Sequence, residues 1–532
     1  MATPTIAIIG CGVTGLATLK NLLEAGFTCT AFDSRPSIGG IWKFTSSPSD
    51  NSVLETTISN KSRYKNCFTD FPYPEDAPPF PDARGVHGYL QAYAREFDLM
   101  RHVKLSTKVV RIVRNETEGK WLVHLLQSEG TETQENFDKI AVCRGEWGEP
   151  KMPLFEGRDV FKGEIIHSLA FKLPSQYASK RVVVLGLGNN AADISTTLAK
   201  HAKSVHLAHR RGANLLPRFI DGKPGDLAVT LRLNNLKYAL SAISPALAEL
   251  FFNTVMRSLT NKAFKLKPDW KIHPAPSIFT HQPTVTDDLV DCLADGRIVS
   301  QSNIRRFTGP RSIEFLDGTL VEDIDAVICC TGFTRDFSLV PDMLPIIFPE
   351  KSDDEWTSHP NSDGKPLAHL YQNIFPLQQA ENIAYLNNFS YPTGYTPIAD
   401  LASMAVAQVW RGTSSLPSIS AMEDQIKSQH KWLVKQLEKG TVASDFVQEE
   451  QWLRVMHDLA GTGCNEMLGY GLQGWKWWVS RPGLAGLVMG GVESPHVMRL
   501  FEGKRKRWEG ARQAIEDVNK QVDRLQKEGK GE

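Results

Sequence analysis

The apolar positions of this chain repeat one pattern twice. A short β-branched run, Thr5-Ile6-Ala7-Ile8-Ile9, leads into the glycine loop Gly10-Cys11-Gly12-Val13-Thr14-Gly15. Leu16, Leu19 and Leu23 then recur at helical spacing, which predicts a helix over residues 13–25 that Gly26 ends. Residues 28–32 read as a second buried strand, closed by Asp33. The pattern returns at Arg181-Val182-Val183-Val184-Leu185. It continues through the loop Gly186-Leu187-Gly188-Asn189-Asn190-Ala191, a helix over 191–202 and a strand over 205–208. Continuous apolar runs of this length suit strands buried on both faces. Each stretch is therefore a βαβ unit, in which glycines admit a close backbone approach and a helix N-terminus faces a pyrophosphate.

Between and after these units the pattern changes. Residues 87–97 predict a helix with Leu90, Tyr93 and Phe97 on one face, and His87 reads as structural. Residues 108–114 and 121–126 predict a hairpin, and 139–143 a strand returning to the first sheet. From 227 to 264 apolar residues fall three and four apart, with no place in a minimal nucleotide-binding unit. This stretch reads as a helical insertion packed against its domain; covering a substrate entrance or touching a membrane surface are the alternatives. Strands are predicted at 312–315 and 325–330, and a closing helix at 396–410. Ile515, Val518, Val522 and Leu525 predict an amphipathic helix docked on the body or on another subunit. Trp475, Trp477 and Trp478 read as core or as pocket lining.

The fold class is thus α/β, with two nested Rossmann-like domains. The first is discontinuous, over residues 1–165 and again within 331–532, where a helical C-terminal region is added. The second occupies 175–330 and carries the insertion at about 225–265.

Composition narrows the function. Lys+Arg and Asp+Glu are equal at 60 each, which gives no electrostatic case for a nucleic-acid partner. The eight cysteines show neither CxxC nor metal-ligand spacing and read as free thiols in a reducing compartment, with no metal site. The N-terminus lacks the basic region of a signal peptide, and no apolar run reaches the roughly eighteen residues of a membrane span. A cytoplasmic protein without a transmembrane anchor is the expectation, with a homodimer left open. Lys504-Arg505-Lys506-Arg507 reads as a solvated helix face rather than a nuclear signal.

Candidate chemistry gathers on the glycine loops. Asp33 stands where a carboxylate accepts from ribose hydroxyls. Gly39-Gly40-Ile41-Trp42 offers a tight backbone approach beside a flat apolar wall. In the second unit the strand ends in His209-Arg210-Arg211-Gly212. With no carboxylate there, Arg210 and Arg211 suit the 2′-phosphate of NADPH rather than NADH. Ser59-Asn60 precedes a rigid run, Asp70-Phe71-Pro72-Tyr73-Pro74, and Thr331-Gly332-Phe333 closes the strand at 325–330.

Between the two loops lies Phe161-Lys162-Gly163-Glu164-Ile165-Ile166-His167-Ser168-Leu169-Ala170-Phe171. This run resembles the Phe-x-Gly-x-x-x-His-Ser-x-x-Phe fingerprint of the flavin-containing monooxygenases. The resemblance extends over residues 5 to about 410 in five motifs: both glycine loops, Asn60 with its aromatic–proline run, the fingerprint, and Cys330-Thr331-Gly332-Phe333 in place of Ala-Thr-Gly-Tyr.

The family likeness implies FAD at the first loop with Gly40, Ile41 and Trp42, and NADPH at the second with Asn190, Ala191 and Asp193. It implies hydride transfer to the flavin, addition of O2 and a 4a-hydroperoxide, with Asn60 and retained NADP+ protecting that peroxide. A soft nucleophilic nitrogen or sulfur of a small molecule would then take one oxygen atom. The missing C-terminal anchor of the mammalian enzymes suits a soluble fungal or microbial type, and specialised metabolism is the expected setting. His167 is open between coupling the domains and a purely structural hydrogen bond. A Baeyer–Villiger ketone monooxygenase is the nearest alternative, though that fingerprint ends in Trp where Phe171 stands here. A redox-silent FAD/NADPH-binding sensor is the alternative of another class.

Overall fold

The computed structural model describes residues 3–145, 148–350, 354–386, 388–390 and 394–528. Two five-stranded parallel sheets organise it. In the first, Thr5–Ile9 lies between Thr28–Phe32 and Lys139–Val142; Val103–Lys104 and Ile383–Tyr385 complete the two edges. Ile6, Ala7 and Ile8 are fully buried, as a strand covered on both faces must be. Helix α1 (Val13–Glu24) begins directly from the glycine loop.

In the second sheet the order is Ile298–Ser302, Ser204–His209, Arg181–Leu185, Ala326–Cys329, Glu164–His167. Helix α2 (Asn189–Leu198) springs from the second glycine loop and starts two residues earlier than its apolar spacing suggests. The strand Glu164–His167 shows that the fingerprint already belongs to the second sheet, on the edge beside Ala326–Cys329. Within it, Phe161 stacks on Phe307 with ring centroids 4.5 Å apart, and a Cβ at Gly163 would meet the Phe161 ring at 2.5 Å. The Phe-x-Gly spacing is the consequence.

Chain beyond the sheets decides what surrounds them. The predicted hairpin gains a third strand, giving an antiparallel sheet of Thr107–Asn115, Lys120–Gln127 and Glu132–Phe137. The third strand is polar at every position but Phe137 and so carries no apolar signature. The insertion forms α3 (Leu231–Ile243) and α4 (Pro245–Ala263). Packing against the domain, the sequence expectation, is incomplete. No described residue of α3 is buried, and Ile243, Leu247 and Leu250 are exposed at 82%, 66% and 66%. The inner faces of both helices instead wall a cavity.

Helix α5 (Tyr395–Trp410) is buried along nearly its whole length and packs on α1. Because the α1–α5 contact is sealed from water, its polar residues pair internally. Asn21 Nδ2 donates to Asp400 Oδ1 and Ser403 Oγ, both at 2.7 Å. Arg499 reaches this contact from the C-terminal region, pairing with Glu24 at 2.7 Å and with Asp70 at 3.5 Å, while Lys20 also pairs with Asp70. Burial opposes the Asp70 charge, but Arg499 and Lys20 hold its carboxyl below the usual range. Asp400 is pushed up by burial and by the neighbouring Asp70, the opposite direction to its partner.

The C-terminal segment corrects a second expectation. Lys504–Arg507 is not helical, and Arg505 is 2% exposed, donating to the carbonyls of Met498, Thr462 and Phe501. The final helix Ala511–Glu528 docks on the body of the same chain through Val518 and Val522, against Tyr64 and Val492. Trp477 is buried whereas Trp475 is 55% exposed.

Candidate functional site

One cavity of about 2180 Å³ runs past both glycine loops, the inner faces of α3 and α4, and the N-terminal end of α5. A single small ligand usually occupies about 300–1,000 Å³, so this space admits several ligands together.

Its first end is built on the loop ahead of α1. Gly10, Gly12, Val13 and Thr14 line it, with Gly40, Ile41 and Trp42 opposite. Gly39 and Gly40 both take positive φ, and a Cβ at Gly40 would meet the Gly12 Cα at 2.9 Å, so two glycine turns cross backbone to backbone. His87 Nε2 donates to the Ile38 carbonyl at 3.1 Å and lies behind Gly39, a structural role. Asp33 lines the cavity while its Oδ2 accepts from Cys11 N at 2.8 Å, so the carboxylate also clamps the loop. The Cys11 side chain is fully buried in the core. Gly15 is a packing position as well: a Cβ there would overlap the Gly10 carbonyl oxygen at 1.8 Å.

The second end lies at α2. Gly188, Asn189, Asn190 and Asp193 line it, and a Cβ at Gly188 would meet nothing within 4 Å, leaving open space above the helix N-terminus. Asn189 Oδ1 accepts from Val285 N at 2.7 Å, and Asn190 Nδ2 donates to Ser168 Oγ at 2.9 Å. Gly186 and Ala191 are packing positions: Ala191 is fully buried, and a Cβ at Gly186 would meet the Cys330 carbonyl oxygen at 2.7 Å. Burial pushes the Asp193 carboxyl up to about 6; nearby Arg218 lowers it and Asp287 raises it. Arg210 and Arg211 lie off the cavity wall. Arg211 donates to His281 and to Thr441 O, and burial pushes it down to about 10, whereas Arg210 is exposed.

The fingerprint lines the cavity from the edge of the second sheet. His167 Nδ1 accepts from Leu169 N at 3.2 Å, which leaves the proton on Nε2 to donate to the Gly332 carbonyl at 2.9 Å. His167 thus ties the fingerprint to Thr331-Gly332, where Thr331 Oγ1 donates to Lys151 O and Gly332 lines the cavity. Burial lowers the His167 pKa, consistent with a neutral ring in this tautomer. Ser168 and Phe171 reach the cavity wall, while Phe161 and Gly163 serve the packing described above.

Asn60 lies on the wall between the two ends, and its orientation is set by Arg218, a residue no motif marks. Arg218 is 7% exposed and gives Nε and Nη2 to this loop. Its Nε donates to Ser59 O at 3.1 Å. Nη2 donates to Ile58 O and Asn60 Oδ1, both at 3.0 Å, and Nη1 pairs with Asp287 at 2.8 Å. With Oδ1 accepting from Arg218, the Asn60 amide nitrogen is left as the outward donor. Ser59 is 3% exposed, its Oγ donating to Lys61 O at 2.8 Å, so it shapes the turn that presents Asn60.

The comparisons with known proteins show the family. Residues 3–530 match the family described as FMO-like, flavin-binding monooxygenase-like. The chain belongs to that family. It is 40% identical over 521 residues to "Monooxygenase aurF" of Gibberella zeae, covering 98% of each chain. It is 31% identical over 528 residues to "Flavin-containing monooxygenase 5" of Homo sapiens, covering 97% of this chain and 92% of that one. Among solved structures, S-allyl-L-cysteine S-oxygenase from Allium sativum superposes with a TM-score of 0.63 at 22% identity, over 98% of this chain and 99% of the other. An open crystal structure of cyclohexanone monooxygenase gives 0.58 at 16% identity, over 86% and 98%. Both share the fold. The protein is a flavin-dependent NADPH monooxygenase of the family, and no described helix is long and apolar enough to cross a membrane.

Proposed function

We propose that this monooxygenase uses FAD at the α1 loop and NADPH at the α2 loop to place one oxygen atom of O2 on a nucleophilic nitrogen or sulfur of a small organic molecule. Specialised metabolite biosynthesis is the setting we favour. The observation that carries the reading is one cavity reaching both glycine loops, with the Asn60 amide fixed on the wall between them. The names of two relatives and neighbours lend support: one rat relative, 30% identical over 80% of this chain, is a dimethylaniline monooxygenase that forms N-oxides, and the Allium neighbour is an S-oxygenase.

The residues present fit two dinucleotides. The crossed turns at Gly12 and Gly40 leave backbone, not side chains, facing the first end, and Asp33 keeps lone pairs toward it. Open space above Gly188 at the N-terminus of α2 fits a pyrophosphate. Exposed Arg210, held among the described residues only by a 3.5 Å contact to Thr441 Oγ1, can swing to meet a 2′-phosphate. When bound, the flavin would supply reduction by NADPH and activation of O2. The chain supplies orientation and shielding. Arg218 holds Asn60 so that its amide N–H faces the cavity, a neutral donor that hydrogen-bonds without giving up a proton. The Asn190–Ser168 and His167–Gly332 bonds fix the second glycine loop and residues 331–332 relative to the fingerprint strand. Trp42 and Phe171 present apolar walls that exclude water.

The test is aerobic turnover of the purified flavoprotein with NADPH under 18O2, offering thioanisole, N,N-dimethylaniline and 2-phenylcyclohexanone separately. Labelled sulfoxide or N-oxide is the expected product. A labelled lactone from the ketone, with no heteroatom product, would move the enzyme to the Baeyer–Villiger class. If NADPH binds without bleaching the flavin absorbance, the monooxygenase reading gives way to a nucleotide sensor.

A further inference from the structure

The residue following Asn60 is a lysine, and its surroundings are unusual. Three lysines approach the polar wall of the cavity where the loop after Asn60 meets α3 and the segment near Glu493. Lys65 donates to Val229 O at 3.0 Å and to Glu493 at 2.7 Å, and Lys237 pairs with Glu449 at 2.6 Å. Among the described residues the Lys61 ammonium makes neither an ion pair nor a hydrogen bond, although the side chain is half-buried and lines the cavity. The carboxylates around it make no ion pair with it, and of Asp226 only one oxygen is engaged, its buried Oδ1 having no partner among the described residues. Glu493 serves Lys65 and Asn234, Glu449 serves Lys237, and Asp226 Oδ2 accepts from Ser62 N. Burial pushes the Lys61 ammonium down, an effect that Asp226, Glu449 and Glu493 offset in part, and an acceptor inside the cavity would further stabilise its charged form. Leu233 and Tyr238 line the cavity beside the same carboxylates, and further apolar wall is supplied by Phe252 and Met256 elsewhere in the cavity. An unpaired cation beside an apolar wall suits one ligand chemistry: an apolar ring system bearing an acidic oxygen.

We propose that Lys61 is a substrate-anchoring residue, its ammonium holding the carboxylate, enolate or phenolate oxygen of an otherwise apolar, ring-containing substrate. This deepens the monooxygenase reading and rests on it. The one residue between Lys61 and the Ser59 anchor is Asn60, so an anchored substrate lies next to the amide that Arg218 orients. A charge-assisted hydrogen bond of this kind is short and directional, and it would fix which atom of the substrate meets the reactive centre.

The same cation would also serve a cofactor phosphate, and the test separates these sources. The purified flavoprotein is titrated calorimetrically with 2-naphthoate and with 2-naphthamide, which keeps the ring and loses the charge; NADP+ is titrated in parallel. The proposal expects naphthoate to bind at least tenfold more tightly than the amide in the unmodified protein. Lys61→Gln should reduce that ratio to about one, Lys61→Arg should restore most of it, and NADP+ affinity should stay within threefold. Equal affinity for the two probes in the unmodified protein, or no naphthoate binding, overturns the proposal. So does a tenfold loss of NADP+ affinity in Lys61→Gln with the probe ratio unchanged, because the cation would then serve the cofactor. Binding needs no turnover, so a protein that passes this test yet never reduces its flavin would refute the oxygenase reading alone.

Discussion

Arg218→Met removes the fork that holds residues 58–60. Four contacts vanish at once: three donated to Ser59 O, Ile58 O and Asn60 Oδ1, and the pair with Asp287. A hydrogen bond to a charged group contributes about 1.5–3 kcal/mol, and breaking a buried pair costs about 3–5 kcal/mol. Part of that is recovered here, because Asp287 is 43% exposed in its side chain and Ile58 is 40% exposed, so water replaces some contacts. A net loss of about 2–4 kcal/mol follows for the ordered loop, or roughly thirty- to several-hundred-fold in its population. Once released, Asn60 no longer keeps its amide N–H toward the cavity.

The assay is the share of NADPH electrons recovered as hydrogen peroxide during aerobic turnover. That share should rise severalfold in Arg218→Met. Arg218→Lys should be intermediate, since one ammonium cannot reach acceptors spread across the loop. Asp287→Asn is the control: it removes only the half-exposed partner and should change coupling little. Wild-type peroxide release in Arg218→Met, with the protein folded and flavin bound, would refute the argument that Arg218 sets the Asn60 orientation.

Further outcomes follow from other parts of the molecule. Asp193 has a raised pKa in the fold, so its favourable contribution is complete below about pH 4, its unfolded value, and is lost as pH rises through about 6. Asp193→Asn should therefore flatten the stability change across that window and raise the melting temperature at pH 7.5, by an effect worth about 3 kcal/mol at most; an unchanged pH profile of thermal unfolding would contradict it. Arg499→Met strands the Glu24 and Asp70 carboxylates behind α1 and should cost about 3–5 kcal/mol in chemical denaturation, whereas Arg507→Ala, on a half-exposed pair, should stay within about 0.5 kcal/mol. Arg210→Ala should raise the KM for NADPH about tenfold and leave that for NADH nearly unchanged; an equal effect on both would separate Arg210 from the 2′-phosphate.

What the sequence determined by itself is whatever local periodicity and short motifs can encode. Both βαβ units, their glycine loops and the closing helix at 396–410 are written in runs of five to sixteen neighbouring residues, because strand and helix geometry repeats every two or 3.6 positions. The fingerprint is legible for the same reason: Phe161 and Gly163 must sit two apart for the ring to cover the glycine. Tertiary structure alone decided the rest. Arg218 meets Asn60 across 158 residues and Arg499 meets Asn21 across 478, and no periodic signal survives such separations. The basic run at 504–507 looks solvated until Arg505 is seen feeding three carbonyls in the interior. Likewise α3 and α4 show helical spacing, but whether their apolar residues face a domain, a cavity or water depends on what packs beside them. Lys61 is the sharpest case. Its sequence context is ordinary, and only the fold shows that Glu493 and Glu449 pair with Lys65 and Lys237 while the Lys61 ammonium lines the cavity without an ion pair among the described residues.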